Sequence, residues 1–172
     1  MNQSTAATAC RVLAVDLSNP VESAAWLALL EHYAQDPMGG GSGLSAYARQ
    51  HLVAELANHP GFHGALAWEG ENAVGLINCF SGFSTFAARP LLNIHDIVTR
   101  AERRGQGIGQ ALLAWAESRA RQLGCCKLTL EVLSNNRRAM ASYEQAGFAP
   151  YVLDPQAGHA LFLQKYLAEE RP

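Results

Sequence analysis

The chain has 172 residues, of which 49% are hydrophobic and 16% charged, with a formal net charge of -2 at pH 7. This composition is that of a folded globular protein and excludes an intrinsically disordered one. The length predicts a single domain, spanning 1–172, with a substantial core. The near-neutral charge gives no general reason to expect nucleic acid or an acidic membrane as a partner.

The first ten residues lack a positive start followed by an apolar core, and no apolar stretch is long enough to span a bilayer. We therefore expect a cytoplasmic protein without a membrane partner. The cysteines, Cys10, Cys79, Cys125 and Cys126, lack the spacing of a metal site. We interpret them as reduced core cysteines and expect no metal.

The first half of the chain combines two helices with two hairpin strands. Apolar periodicity and turn residues predict the following elements: a strand at 11–17, a helix from Pro20 to about Tyr33 capped by Ser18 or Asn19, a helix at 45–58, and strands at 62–69 and 72–80. The segment 81–90 fits either a longer strand or a loop. Between the helices, Asp36 to Gly43 breaks all periodicity, which is typical of a linker or a ligand-binding loop.

The second half alternates strands and helices before a final hairpin. The predicted elements are a strand at 91–99, a helix at 108–123, a strand at 127–133, a helix at 137–146, and strands at 151–153 and 160–166. This order indicates an α/β (α+β) fold. We expect a mixed, largely antiparallel sheet of about seven strands flanked by about four helices.

The segment Ile97 to Gln110, IVTRAERRGQGIGQ, joins an apolar strand to an amphipathic helix through a turn with three glycines at alternate positions. Such a turn presents backbone N–H groups and a helix N-terminus to an anion. The basic residues Arg100, Arg103 and Arg104 suit a ligand with several negative charges. The pattern therefore predicts a site for a phosphorylated cofactor.

Two common phosphate-binding motifs fail here. The dinucleotide pattern GxGxxG requires glycine at Gln110 or Leu112, and the P-loop requires Gly-Lys-Ser/Thr after the turn. The turn instead matches R-x-x-G-x-G through Arg104, Gly107 and Gly109. A nucleotide-dependent oxidoreductase is therefore the weaker interpretation.

From this motif onward the chain resembles the GNAT superfamily of acyl-CoA-dependent N-acyltransferases. The downstream segment LEVLSNNRRAMASYEQAGF is similar to that family's second signature, and to the branch that acetylates protein N-termini. The resemblance is specific over Leu91 to Phe148. One departure is Ala101, where many members carry proline, which affects the rigidity of the turn more than its chemistry.

The resemblance implies acetyl-CoA as the co-substrate and assigns residues to it. The pyrophosphate would lie on the main chain of the turn, and the pantetheine arm would pair with the strand before it. The implied cofactor-binding residues are Ile97, Val98, Thr99, Arg104, Gly105, Gln106, Gly107, Ile108, Gly109, Gln110 and Asn136. Asn136 would contact the pantetheine.

Acetyl transfer to an amine requires a base, a donor to the oxyanion and an acid for the leaving thiolate. Tyr143 is the expected acid: it lies two helical turns after Asn136, on the same face, at the position of the family's acid tyrosine. The same spacing also builds cores, so a packing role is the alternative. The Val98 N–H is the expected oxyanion donor.

For the base we favour Glu131, at the end of a strand adjacent to the cofactor strand. Asp96 and His95 are rivals, and alternation places them on opposite faces unless a bulge intervenes. A water chain is a further alternative. In the family, the first two helices and their loop form much of the acceptor site, which here implicates Tyr33, Asp36 and Tyr47. Pro37 to Gly43 is similar to bacterial members of the superfamily and indicates no substrate.

The sequence therefore predicts an acetyl-CoA-dependent N-acetyltransferase that acts by direct transfer on a small-molecule or peptidyl amine. The alternative is a non-catalytic acyl-CoA-binding or regulatory domain that retained the turn. By resemblance, a homodimer is a possible assembly.

Overall fold

The computed structural model describes residues 10–152, 154, 156 and 160–167. The chain forms two compact units, Met1–Leu130 and Glu131–Pro172. The first contains the sheet and three of the helices, and the second contains the last helix. The prediction of one domain stays a prediction.

The first unit is built on a five-stranded sheet in the order β1-β2-β3-β4-β5. The strands are β1 Arg11–Ala14, β2 Phe62–Glu69, β3 Asn72–Ser84, β4 Arg89–Thr99 and β5 Leu128–Leu130. Neighbours pair antiparallel except β4 and β5, which pair parallel. The predicted mixed, largely antiparallel sheet is confirmed. The ambiguous segment 81–90 extends both strands of a hairpin.

The expected number of about seven strands is wrong for the part of the chain that the structure describes. Tyr151, Val152 and the segment 160–166 belong to no strand, and Leu153 lies outside the described residues. The side chains of Leu161, Phe162 and Leu163 are 75–83% exposed. An alternating pattern forms a strand only where a neighbouring strand accepts its hydrogen bonds and a core covers its apolar face.

The helices confirm the predicted order, and the first is capped by Asn19, one of its two predicted caps. They are α1 Pro20–Gln35, α2 Ala46–Ala57, α3 Ile108–Gln122 and α4 Arg137–Gln145, and a 3-10 turn spans Ala101–Arg103. The Asn19 side chain accepts hydrogen bonds from the main-chain N–H groups of Val21 and Glu22, and Ser45 caps α2. These caps satisfy donors that a helix leaves unpaired at its first turn.

The core of the first unit lies on both faces of the sheet. Trp26, Leu29 and Leu30 of α1 pack with Leu66 and Leu76 of the central strands on one face. On α3 the buried residues are Ile108, Leu112, Leu113, Ala116 and Ala120. Burying side chains of this size provides most of the driving force for folding.

Among the described residues, no helix is both long and apolar enough to cross a membrane, and no group of three or more His, Cys, Asp or Glu side chains could hold a metal ion. The four cysteines are free. Only Cys79 is fully buried, whereas Cys126 is exposed, so the expectation of four core cysteines is wrong. Cys126 lies two residues after Gly124, beyond the end of α3.

Candidate active site

The glycine turn forms a concave run of main-chain donors at the start of α3. Gly105 and Gly107 have φ angles of 79° and 82°, in the left-handed region, and Gly107 is the N-cap residue of α3. No hydrogen-bond acceptor in the described part of the chain meets the N–H groups of residues 105–109. A Cβ atom built on either glycine would enter open space. The turn can therefore receive an anion on several N–H groups and the helix dipole.

The arginines beside the turn are engaged within the protein, which sequence patterns did not reveal. Arg104 pairs with Asp36 at 2.8 Å, and Arg103 pairs with Glu69 at 2.7 Å. The Nε of Arg100 donates to the carbonyl of Ala73 at 3.0 Å. The three guanidinium groups thus connect the turn to neighbouring elements. The main-chain N–H groups remain the principal contacts available to an anion.

Beyond the middle of β4, one edge of the strand has no strand partner in the described structure. β5 pairs with β4 only from Leu92 to Ile94, whereas β3 pairs with β4 up to Thr99. An extended molecule can add to this open edge as a further strand would.

The backbone direction decides which groups face this edge. The N–H of Arg100 donates to Val74 at 2.9 Å, so residues of the same parity, including Val98, direct their N–H groups toward β3. Ile97 and Thr99 therefore present their N–H and C=O groups to the open edge. The expected role of the Val98 N–H as oxyanion donor is accordingly wrong, because that group belongs to the β3–β4 ladder.

A β-bulge in β4 brings His95 and Asp96 to the same face of the sheet. Asn78 of β3 pairs with Asp96, and the next residue, Cys79, pairs with Ile94, which leaves His95 as the extra residue. The ring of His95 lies 5.6 Å from that of Phe80, on the side of α1. The bulge that the sequence left open is therefore present, and both rivals for the base lie on one face.

Asp96 is held by a buried hydrogen-bond chain that the sequence analysis missed. Trp26 Nε1 donates to Asn78 Oδ1 at 2.7 Å, and Asn78 Nδ2 donates to Asp96 Oδ2 at 3.0 Å. Trp26 and Asn78 are 0% and 1% exposed. Asn78 stands within the apolar run AVGLINCF, and a buried amide requires hydrogen-bond partners. This position could therefore have indicated a buried hydrogen-bond chain.

Replacing Asn78 with alanine is expected to destabilise the protein by about 1–3 kcal/mol, because the buried Trp26 N–H then loses its acceptor. Urea denaturation of the two proteins measures this difference. Asn72→Ala, at the exposed start of the same strand, is the control and should leave the midpoint nearly unchanged. Equal stability of all three proteins would contradict the role of the chain from Trp26 to Asp96.

Tyr33 and Asp36 at the end of α1 join the same region. Burial raises the pKa of Tyr33, and the nearby carboxylates of Asp96 and Asp36 raise it further. Hydrogen bonds from the Met38 N–H and the Arg104 guanidinium lower the pKa of Asp36. The carboxyl groups of Asp36 and Asp96 therefore both lie near Tyr33, and Arg104 pairs with the first of them.

The segment 36–43 is a folded loop fixed to α1. The N–H groups of Gly39 and Gly41 both donate to the Asp36 carbonyl. A Cβ atom at Gly39 would lie 2.0 Å from the Tyr33 carbonyl oxygen, so only glycine fits there. Tyr47 of α2 stacks on His51 at 4.1 Å and is 69% exposed, so it stands out from the helix as an accessible ring.

The second unit fixes the backbone around Tyr143. The helix ends in a Schellman motif in which the Phe148 N–H donates to the Tyr143 carbonyl and the Gly147 N–H to that of Glu144, both at 2.9 Å. The rings of Tyr143 and Phe148 make an edge contact at 6.0 Å. The tyrosine is therefore held in one orientation at the end of its helix.

The structure defines a hydrogen bond of Asn136 and the position of Glu131 relative to β5. The Asn136 side chain accepts from the Ala139 N–H at 3.2 Å and caps α4, as expected. Its carbonyl oxygen serves the helix, so its amide N–H₂ is the group that can face a ligand. Glu131 is exposed and follows β5, which ends at Leu130 rather than at the predicted Leu133.

The sequence model of the "Acetyltransferase (GNAT) family" matches residues 26–148, more than half of the chain. The chain belongs to the GNAT acetyltransferase family. The match covers the glycine turn, the bulged strand and Tyr143, and it confirms the resemblance inferred from the motifs.

Curated relatives of this GNAT chain include acetyltransferases with different acceptors. A thialysine N-epsilon-acetyltransferase of Bos taurus is 35% identical over 56% of this chain and 53% of its own length. An aminoalkylphosphonate N-acetyltransferase of Salmonella typhimurium is 35% identical over 58% of this chain and 64% of its own. The chain thus spans about half to two thirds of these relatives. A streptothricin acetyltransferase of Streptomyces lavendulae is 32% identical over 65% and 69%.

Solved structures show the same fold at low sequence identity. A transcriptional regulator from Bacillus halodurans has a TM-score of 0.73 at 22% identity, covering 92% of this chain and 100% of that one. An aminoglycoside acetyltransferase from an uncultured soil metagenomic sample, in complex with sisomicin, has a TM-score of 0.72 at 16% identity, covering 93% and 97%. The GNAT fold is therefore common to this chain and proteins with different described functions.

Proposed function

We propose that this GNAT chain is an acetyl-CoA-dependent N-acetyltransferase that transfers the acetyl group directly to a primary amine within a ternary complex. The observation that carries the proposal is the geometry after the bulge of β4. An open strand edge at Ile97 and Thr99 leads directly into unpaired N–H groups of the turn. Coenzyme A has a pantetheine arm that can pair with a strand, and a pyrophosphate that suits such a turn.

The bound acetyl-CoA would supply the thioester whose acetyl group moves to the amine. The turn from Arg104 to Gln110 would hold the pyrophosphate through its main chain. Ile97 and Thr99 would align the pantetheine arm, and the Ile97 N–H is the donor on the open edge nearest the bulge. The amide N–H₂ of Asn136 would contact the same arm, and the Tyr143 hydroxyl would protonate the leaving thiolate.

For the base we propose His95, because imidazole is the side chain that most often accepts the proton in general base catalysis. Its side chain is exposed on the face that also carries Asp96. Asp96, held by Asn78, would stabilise the ammonium form of the acceptor before its deprotonation. Glu131, the choice from sequence, stays a prediction that the same experiment tests.

His95→Gln is expected to lower kcat/KM for acetyl transfer by about 10²–10⁴, because it removes the base. Steady-state kinetics with saturating acetyl-CoA measures this loss. Glu131→Gln is the comparison and should leave kcat/KM nearly unchanged. A loss of this size in the Glu131 variant alone would assign the base to Glu131.

The acceptor we propose is a small amine that carries a second positive charge. The supporting observations are the carboxylates of Asp36 and Asp96 beside Tyr33. Arg104 pairs with Asp36, so a pyrophosphate that attracts the Arg104 guanidinium would leave Asp36 available for this second charge. The named acceptors of several relatives, thialysine among them, are small amines.

The experiment is release of thiol from acetyl-CoA across a panel of polyamines, aminoglycosides, amino acids and N-terminal peptides. We expect turnover with dicationic amines, and Asp36→Asn should raise their KM about tenfold with little change for monoamines. Asp16→Asn, in the loop before α1, is the matched control. Binding of coenzyme A without turnover on any amine would favour the non-catalytic alternative.

A further inference from the structure

A cavity lies between the end of β1, the start of β2 and the C-terminal half of α3. Its volume is about 370 Å³, and its main lining residues are Val15, Phe62, His63, Trp115, Ser118 and Arg119. Arg119 lies ten residues after Gly109 on the same helix, a distance of about 15 Å along the axis. The cavity is therefore separate from the glycine turn, and both can be filled together.

The charge of Arg119 has no carboxylate partner among the described residues. Its Nε donates to His63 Nδ1 at 3.3 Å, and its Nη1 donates to Gln122 Oε1 at 3.4 Å. By contrast, Arg121, two positions along the helix, pairs with the Glu117 carboxylate. A guanidinium held at the wall of a cavity without a counter-ion is suited to an incoming anion.

His63 orients this guanidinium without adding charge. Its Nδ1 accepts from Arg119, so the ring proton lies on Nε2, which donates to Ser81 Oγ at 2.9 Å. Burial lowers the pKa of His63, and the positive charge of Arg119 lowers it further. At neutral pH the ring is uncharged, and the cavity carries a single positive charge, that of Arg119.

The other lining residues indicate the chemistry of the rest of the ligand. The lining also includes the apolar residues Val15, Phe62 and Trp115, and Ser118 adds a hydroxyl. The volume is near the lower end for small-molecule sites. Arg119 lies in the last turn of α3, where the helix dipole disfavours a second negative charge. This favours a carboxylate over a phosphate dianion.

We propose that this cavity binds a small monocarboxylate with an aromatic or apolar body. The carboxylate would pair with the Arg119 guanidinium, and the body would lie against Trp115. The site is independent of acetyl transfer, because none of these residues belongs to the turn or the bulged strand.

The test is calorimetric titration of the full chain, saturated with coenzyme A, with phenylacetate, phenylacetamide and phenyl phosphate. We expect phenylacetate to bind at least about tenfold more tightly than the other two, because only it matches the single charge. Arg119→Gln should weaken phenylacetate binding at least about tenfold. Arg121→Gln, a surface change on the same helix, should leave binding within about twofold.

A second readout uses the unmodified protein and does not depend on folding of a variant. Phenylacetate should shift the indole N–H resonance of Trp115 and leave that of Trp68, at the other end of β2, in place. Equal binding to the Arg119 and Arg121 variants, equal binding of phenylacetamide, or no shift at Trp115 would overturn the proposal.

Discussion

Gly107→Ala is expected to weaken coenzyme A binding by about 10–100-fold, since each lost hydrogen bond to a charged group removes about 1.5–3 kcal/mol. Gly107 adopts a φ of 82° at the N-cap of α3, and a Cβ atom there would point into the open space of the turn. The methyl group would keep a phosphate from the main-chain donors. Isothermal titration with coenzyme A measures the loss.

Gly124→Ala is the matched control for this substitution. Gly124 follows the other end of α3 with a φ of 68°, and a Cβ atom there would also meet open space. Both variants therefore carry a similar backbone strain of about 1–2 kcal/mol, which should appear as a similar loss of stability. Only Gly107→Ala should lose cofactor affinity. Equal affinities would remove the turn from the cofactor site.

Tyr143→Phe is expected to lower kcat by about 10²–10⁴, the usual contribution of a positioned acid, while the Kd for coenzyme A changes by less than about twofold. The phenylalanine ring can keep the edge contact with Phe148 and the helix end. Thermal unfolding of both proteins reports any change in stability separately. Single-turnover kinetics and calorimetry on the same preparation separate the two effects.

Tyr151→Phe is the control, because Tyr151 is 60% exposed and lies outside the helix. It should retain normal turnover. A loss of kcat and of coenzyme A affinity in equal measure in Tyr143→Phe would show that Tyr143 serves binding or packing. Full activity of that variant would assign the acid to another group.

Local rules predicted most of the elements of the first unit. Asn19 caps α1, and the turn Gly70-Glu71 joins β2 to β3, because these signals act within a few residues. The same locality explains the correct position of the glycine turn. The two strands predicted near the end of the chain are not formed by the described residues there. A strand needs a neighbouring strand to pair with, and sequence periodicity does not reveal whether one is available.

The site was predicted less completely than the fold. His95 and Asp96 were identified as candidates, but whether they share a face depended on a bulge that forms through pairing with β3. The pairing of Arg104 with Asp36, 68 positions apart, left no local pattern. The direction of the Val98 N–H was fixed by the register of the same ladder.

The amino-acid sequence by itself determined the family, the order of the helices and strands, and the position of the glycine turn. These properties depend on backbone preferences and short motifs, which neighbouring residues specify. Only the tertiary structure decided which charges meet, which edge of β4 stays open within the described residues, and that Arg119 faces a cavity whose described lining holds no carboxylate. Such features arise between residues far apart in the chain, whose approach depends on the packing of the whole sheet and its helices.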